Sequence, residues 1–458
     1  MVTILKYIGP FLRMNSLNQS KVNNQLFYFA KESLKQIVLF SKCGITLKGS
    51  SLEKTLPNND INIVKNISPL LCIYKKADSK ISLKNKNFTF PSHSLKKEVE
   101  IRSNGYMILS ILSLYKYYKS FTTDYSKEYC LLFKGITKSQ LDFCVAHLRN
   151  AQGFFVDKKD LSDNILSEVK FLDKSQKISF CNQALMMNCF YLYSLIDDTE
   201  SSDAYKTFSL DILNAFTLNR DNLYSMDNDE YVEFLFQLCV FYEASKNVDA
   251  MSLILDLEDY YTENTCGAHK TSFTTELLMS LCNKLMCDLF NLDKFKEKEE
   301  IIKETLIRYF DDETYLIFRD DSEDKVYSED IILYIINLLE RDIEDSSDII
   351  SKVYKTALCD NGLILSFIDA PEMDNEERYR NQTLKSEDLL EESNFSPSHD
   401  SSYITKGYAP IFLKRLELNR KKNKIKLSKD NFYSSRNMFI FYLILRYMAP
   451  IFDNNNDE

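Results

Sequence analysis

Ala184-Leu-Met-Met-Asn-Cys-Phe-Tyr-Leu-Tyr193 is ten residues long, carries one amide and no charge. At helical spacing such a stretch has no face to offer water, so it predicts a helix buried on two sides. Residues 204–219, which follow it, keep a polar stripe beside an apolar one. Together they predict a helical hairpin with a buried first helix and an amphipathic second.

The same alternation recurs along the chain. Gly105–Ser120 is expected to pair with Lys138–Ala151, Lys177–Asp198 with Ala204–Asn219, and Tyr231–Ala244 with Val248–Tyr261. Phe273–Leu292 is expected to pair with Phe295–Phe310, and Asp330–Ile343 with Ser347–Cys359. Loops of similar make-up separate these hairpins: Gly153-Phe-Phe-Val-Asp157, Leu223-Tyr-Ser-Met-Asp227, Leu316-Ile-Phe-Arg-Asp320 and Leu365-Ser-Phe-Ile-Asp369. Their aspartates lie 70, 93 and 49 residues apart, and Thr265-Cys-Gly-Ala-His269 fills the long second gap. A period near fifty with two helices per period marks a hairpin array.

Composition agrees. Hydrophobic residues make up 45% and charged residues 27% of the 458, a balance that folds. Nine glycines and eight prolines are too few for the turns of an all-β fold. Residues 44–100 depart from the pattern, with Gly44, Gly49, Pro57, Pro69 and Pro91 around the β-favouring pieces Leu70–Tyr74 and Phe88–Phe90. A region over 1–100 made of a first helix at 24–43 and a strand-containing lead-in at 44–100 is therefore expected before a helical domain at 101–458. Pairing of helix 24–43 with a last helix, Asn431–Met448, would complete six hairpins. An open superhelix is the rival arrangement.

The net charge of −10 argues against a nucleic-acid partner, which needs clustered cations. One basic run stands out, from Arg415 through Arg420-Lys-Lys422 to Lys424 and Lys426; it is a solvated connector or a docking patch for an acidic partner. Eleven cysteines without framework spacing or a C-x-x-C pair indicate reduced core thiols and a cytoplasmic setting. No apolar stretch approaches the roughly 18 residues of a membrane span, so no membrane partner is expected. No nucleotide, serine-hydrolase or zincin motif occurs, and no cofactor is expected.

Three stretches carry a family likeness: Ser103-Asn-Gly-Tyr-Met-Ile-Leu-Ser-Ile-Leu-Ser-Leu-Tyr115, His147-Leu-Arg-Asn-Ala-Gln-Gly-Phe-Phe155 and Asn182–Tyr193. With them the chain resembles the six-hairpin, or α/α-toroid, superfamily of glycosidases and sugar epimerases, from about residue 100 to 450. The implied fold class is all-α, an (α/α)6 toroid of helical hairpins with a small strand-containing N-terminal insertion. By that resemblance the loops feeding the first helices crowd one rim, which would bring Asp157, Asp227, Asp229, Glu230, His269, Asp320, Asp321 and Asp369 to one face.

On such a rim Asp157, Asp227, Asp320 and Asp369 are the candidate catalytic acids, since two carboxylates with separated pKa values can cleave a glycosidic bond. Phe155, Tyr224, His269, Phe318, Arg319 and Tyr327 are the candidate ligand-binding residues, the aromatic rings standing in for the absent tryptophan as sugar platforms. Competing structural roles are visible too. Asp227-Asn-Asp-Glu230 has capping-box spacing, and 320–324 suits a solvated acidic loop. Cys266 and His269 lack a second ligand cluster, so no metal is expected. Arg378 and Arg380 are further anion clamps or plain surface residues. These features favour a non-catalytic toroid that binds a saccharide or a protein; the alternative is a carbohydrate-active enzyme, hydrolase or epimerase, acting through the rim carboxylates.

Overall fold

The computed structural model describes residues 17–47, 67–84, 87–162, 169–174, 177–265, 271–320, 322–365, 406–422, 424–428 and 431–449. In chain order its longer helices are α1 (Gln19–Phe40), α2 (Ile101–Lys119), α3 (Asp124–His147), α4 (Phe180–Ser194), α5 (Ser201–Leu218) and α6 (Asn228–Ser245). They continue as α7 (Val248–Thr265), α8 (Phe273–Phe290), α9 (Asp293–Tyr309), α10 (Ser328–Leu339), α11 (Ser346–Val353) and α12 (Ser434–Tyr447). The chain is thus mostly helical, as its composition requires, and the described strands are short pieces. No described helix is long and apolar enough to cross a membrane.

The contacts divide the chain into two compact units. One comprises Lys42–Lys76 and Lys96–Glu304. Here α2, α4, α6 and α8 stand one against the next, while α3, α5 and α7 pack on the backs of α2, α4 and α6. The expected division of labour holds. α4 buries almost all of its side chains, whereas α5 buries only Ser209, Leu213 and Phe216. Each Leu, Phe or Met fully buried in the first helices contributes about 1.5–3 kcal/mol over an exposed one. Gly105 permits the closest approach: a Cβ there would lie 2.5 Å from Leu185 Cγ, so α2 and α4 meet backbone against side chain.

Local chemistry sets the helix ends. Ser179, Asp227 and Ser272 are N-caps, their side chains accepting from the N–H groups of Asn182, Glu230 and Thr275. Lys246 and Asn291 close α6 and α8 in the left-handed conformation, each N–H returning to the carbonyl four residues back. One boundary differs from expectation. The partner of α2 begins at Asp124 rather than Lys138, because Thr123 caps it and the helix runs straight through Gly135-Ile-Thr137, a break in propensity that packing overrides.

The other unit comprises Met1–Ser41, Ala77–Leu95 and Thr305–Glu458. Helices α1 and α12 pack together, α10 packs on α12, and α11 contacts α1 and α10. Phe412 joins the set, 5.5 Å from Phe29 and 6.0 Å from Phe441 between ring centroids. Past Val353 the helix α11 widens into a π-helical turn, Tyr354–Asp360. The expected strand pieces of the lead-in are present but serve different units. Leu70–Ile73 pairs with Gly44–Thr46 in the first; Lys80–Lys84 pairs with Asn87–Thr89 and with Lys406–Tyr408 in the second. An antiparallel ribbon, Arg415–Asn419 with Lys424–Leu427, lies beside Lys325–Tyr327 in that same unit.

Candidate functional site

In the first unit, side chains tie the starts of the first helices to one another. Asp157 Oδ1 accepts from the backbone N–H of Ile101 at 2.9 Å, placing a carboxylate at the positive end of α2. Asp229, in the first turn of α6, accepts from Ser272 Oγ at 3.1 Å and from Thr275 Oγ1, both at the start of α8. Glu230 faces Lys177, just before α4, at 3.9 Å, and its Oε1 has no hydrogen-bond partner. Asp157 thus sits at the start of α2, and Asp229 and Glu230 at the start of α6. Burial, opposed by the Ile101 N–H, holds the Asp157 carboxyl above the usual carboxylate range.

One turn deeper lies a polar network that the sequence did not announce. Arg102 Nε donates to both oxygens of Glu233, at 2.8 and 3.1 Å. Tyr106 Oη donates to Glu233 Oε1 at 2.7 Å and accepts from Gln237 Nε2 at 3.1 Å. Asn188 Nδ2 donates to Gln237 Oε1 at 2.8 Å. Burial opposes the charge on Arg102, yet the Glu233 carboxylate raises its pKa above the ordinary arginine value. Burial, with Glu233 beside them, keeps the Tyr106 hydroxyl and the Cys181 thiol protonated. The network cross-links α2, α4 and α6 and is a structural lock of high specificity.

A cleft of about 320 Å³ opens between the loop after α3 and the helices α4 and α5. Phe154, Phe155, Phe180, Phe208 and Phe216 give it an aromatic lining. Arg149, Gln152, Gln183, Asp211, Asn219 and Asn222 supply its polar groups. The loop is tightly built. Asn150 Oδ1 accepts from Gln152 N at 3.0 Å and Phe154 N at 2.9 Å, and Gly153 sits at φ +92°. Arg149 Nε donates to the Gly153 carbonyl at 2.7 Å while its guanidinium lies over the Phe208 ring at 5.4 Å. No carboxylate pairs with Arg149 among the described residues, and Asp211 is an exposed acid on the same cleft. Phe155, expected as a ligand contact, belongs to the cleft but is 2% exposed.

The remaining expected residues have well-defined partners. Asp227 is an exposed N-cap for α6, with Glu230 N at 2.9 Å, while the reciprocal bond of a capping box is not made by Glu230. Tyr224 Oη donates to Asp256 at 2.5 Å, beside Arg220 Nε at 2.7 Å from the same carboxylate. In the second unit Asp320 closes a local turn on Ser322 N at 2.9 Å, and Arg319 pairs with Glu323 at 3.0 Å. Cations lie against the rings of Phe318 and Tyr327: Arg420 over the first at 4.8 Å, Arg415 and Lys414 over the second at 5.8 and 5.9 Å. Cys266, His269, Asp321, Asp369, Arg378 and Arg380 lie outside the described residues. Among those described, no cluster of three or more His, Cys, Asp or Glu side chains could hold a metal ion.

No protein family's model matches this chain, and no curated protein does. Among solved structures, the selenomethionine derivative of a GH76 alpha-mannanase from Bacteroides thetaiotaomicron is similar to it with a TM-score of 0.45 and 9% identity, over 93% of this chain and 95% of that one. At that level nothing of the mannanase's chemistry carries over.

Proposed function

We propose that this chain is a non-catalytic binding protein whose ligand is a saccharide, held in the cleft between the 149–155 loop and α5. The observation that carries this reading is the cleft's make-up. Phenylalanine faces suit the C–H faces of a sugar ring, and amide, carboxylate and guanidinium groups suit its paired hydroxyls. The carboxylates expected to be catalytic support it from the other side. Asp157 and Asp227 each satisfy a helix start, and Asp320 a turn. The ten described cysteines, all free thiols, suit the expected cytoplasmic setting.

The test is saturation-transfer NMR against a panel of neutral and acidic oligosaccharides, followed by titration of any hit. Phe208→Ala and Asp211→Asn should each weaken binding by about tenfold, or about 1.4 kcal/mol, with the fold intact and no release of reducing sugar. Binding indifferent to both changes would remove the cleft from consideration.

One observation favours the enzymatic alternative. Burial raises the Asp157 pKa, the direction a general acid requires. If a glycoside is hydrolysed and Asp157→Asn abolishes turnover while leaving binding unchanged, that alternative replaces the first reading.

A further inference from the structure

The ribbon formed by Arg415–Asn419 and Lys424–Leu427 is a basic element in an acidic protein. Residues 414–426 hold seven cations and one acid, whereas the chain as a whole carries −10. Three of those cations are engaged within the unit, Lys414 over the Tyr327 ring among them. Arg415 binds Glu417 through Nε at 2.9 Å and Nη2 at 2.6 Å. Arg420 donates to the Glu323 carbonyl at 3.0 Å above the Phe318 ring. They stiffen the ribbon and its turn. Lys421, Lys422 and Lys424 are exposed and form no ion pair among the described residues.

The register settles which backbone groups are spoken for. Ser428 N donates to the Arg415 carbonyl at 3.0 Å, so Arg415 and Ser428 are a hydrogen-bonded pair. Counting back along the ladder, Glu417 with Lys426 and Asn419 with Lys424 are hydrogen-bonded pairs as well. The intervening residues direct their amides the other way. Leu418 N duly donates to Asp324 O, at 2.7 Å, on the inner side. Ile425 and Leu427 therefore aim N–H and C=O outward from the sheet. The sheet order makes 424–427 an outer strand, and no described strand pairs with that edge.

We propose that this edge receives an extended acidic peptide segment of a partner protein, added as a further strand. Main-chain bonds would go to Ile425 and Leu427, and carboxylates at alternate positions of the peptide would meet Lys424 and Lys426. Lys421 and Lys422 extend the cationic surface past the turn. Charge complementarity selects an acidic segment, and an edge that no described strand pairs with selects an extended one.

The probe is a fluorescein-labelled peptide of about nine residues, alternating Glu and Thr, titrated by polarisation against the full chain at low and high salt. A control peptide is identical except that its central residue is proline. The intact peptide should bind at least tenfold more tightly than the control, and the triple reversal K421E, K422E, K424E should lower its affinity by at least tenfold. Ile425→Pro is the decisive variant. It removes only an outward N–H, which an outer strand tolerates, so the melting temperature should stay and binding should fall by about tenfold.

Several results would overturn the proposal: no binding by the full chain, or loss on charge reversal but none with Ile425→Pro, which would mean simple polyanion attraction. Equal binding of single-stranded DNA or phosphatidylserine vesicles, removed by the same reversal, would also overturn it. So would peptide binding that appears only after deletion of the acidic residues 371–392, because the edge would then belong to this chain's own segment.

Discussion

Gln183 grips the backbone of Phe155 with both ends of its side-chain amide: Oε1 accepts from Phe155 N and Nε2 donates to Phe155 O, each at 2.9 Å. The clamp fixes the loop that walls the cleft onto α4. Gln183→Leu leaves a buried N–H and a buried carbonyl without partners, which costs about 2–4 kcal/mol in all. Urea unfolding should show that loss, and an unchanged midpoint would mean the loop is held by other contacts.

Gly153→Ala should disturb the cleft more than its size suggests. The residue has φ +92°, and an added Cβ would lie 2.7 Å from Arg149 Nη2. Strain of about 1–2 kcal/mol is expected, together with displacement of the guanidinium from Phe208. Saccharide affinity should therefore fall even where the melting temperature moves little.

Arg102→Met removes the ion partner of Glu233, whose side chain is 14% exposed, while Arg102 itself is 29% exposed. A buried pair broken from one side costs about 3–5 kcal/mol. Partial solvent access here lowers the expectation to about 2–3 kcal/mol. Adding Glu233→Leu should restore much of the loss, because the stranded charge disappears. A double variant no better than the single one would show that Tyr106 and Gln237 depend on the carboxylate for their own positions.

Glu258 is expected to make the first unit sensitive to acid. Its side chain is 1% exposed, between Lys294 at 2.8 Å and Lys298. Burial alone would raise its pKa, but the two lysines bring it below 4.5. The folded chain thus binds this proton less readily than the unfolded one. Stability from the group is present above the unfolded value and is lost as pH falls through the folded one. In urea unfolding across an acid series, wild type should lose stability below pH 4.5 more steeply than Glu258→Gln. Parallel curves would assign the effect to other carboxylates.

The hairpins were legible because their signal is local. The uncharged run Ala184–Tyr193 lies within a helix buried almost throughout, and Asp227 announces its cap three residues ahead of Glu230. Long-range partnerships left no such trace. Arg102 and Glu233 are 131 residues apart, and only folding shows that they answer each other. Their one sequence signal is that a charge on an otherwise buried face needs a partner. The rings of Phe318 and Tyr327 were legible as aromatic, but the cations that cover them arrive from a distant ribbon. Arg149 belongs to the His147–Phe155 stretch, yet its place in the cleft depends on the turn geometry of Asn150 and Gly153.

The pairing of α1 with α12 constrains how the chain can be made. Gln25 receives its hydrogen bond from the hydroxyl of Tyr354, 329 residues later, and the helix that covers Phe29 and its neighbours comes later still. A ribosome releases α1 before the other described helices, with Leu26, Phe27, Leu34 and Ile37 destined for complete burial. Their cover is translated only after the other unit has emerged. The nascent chain must therefore carry a sticky helix through most of its synthesis, and chaperone capture of that helix, or aggregation of chains truncated before residue 434, is the natural hazard of the topology.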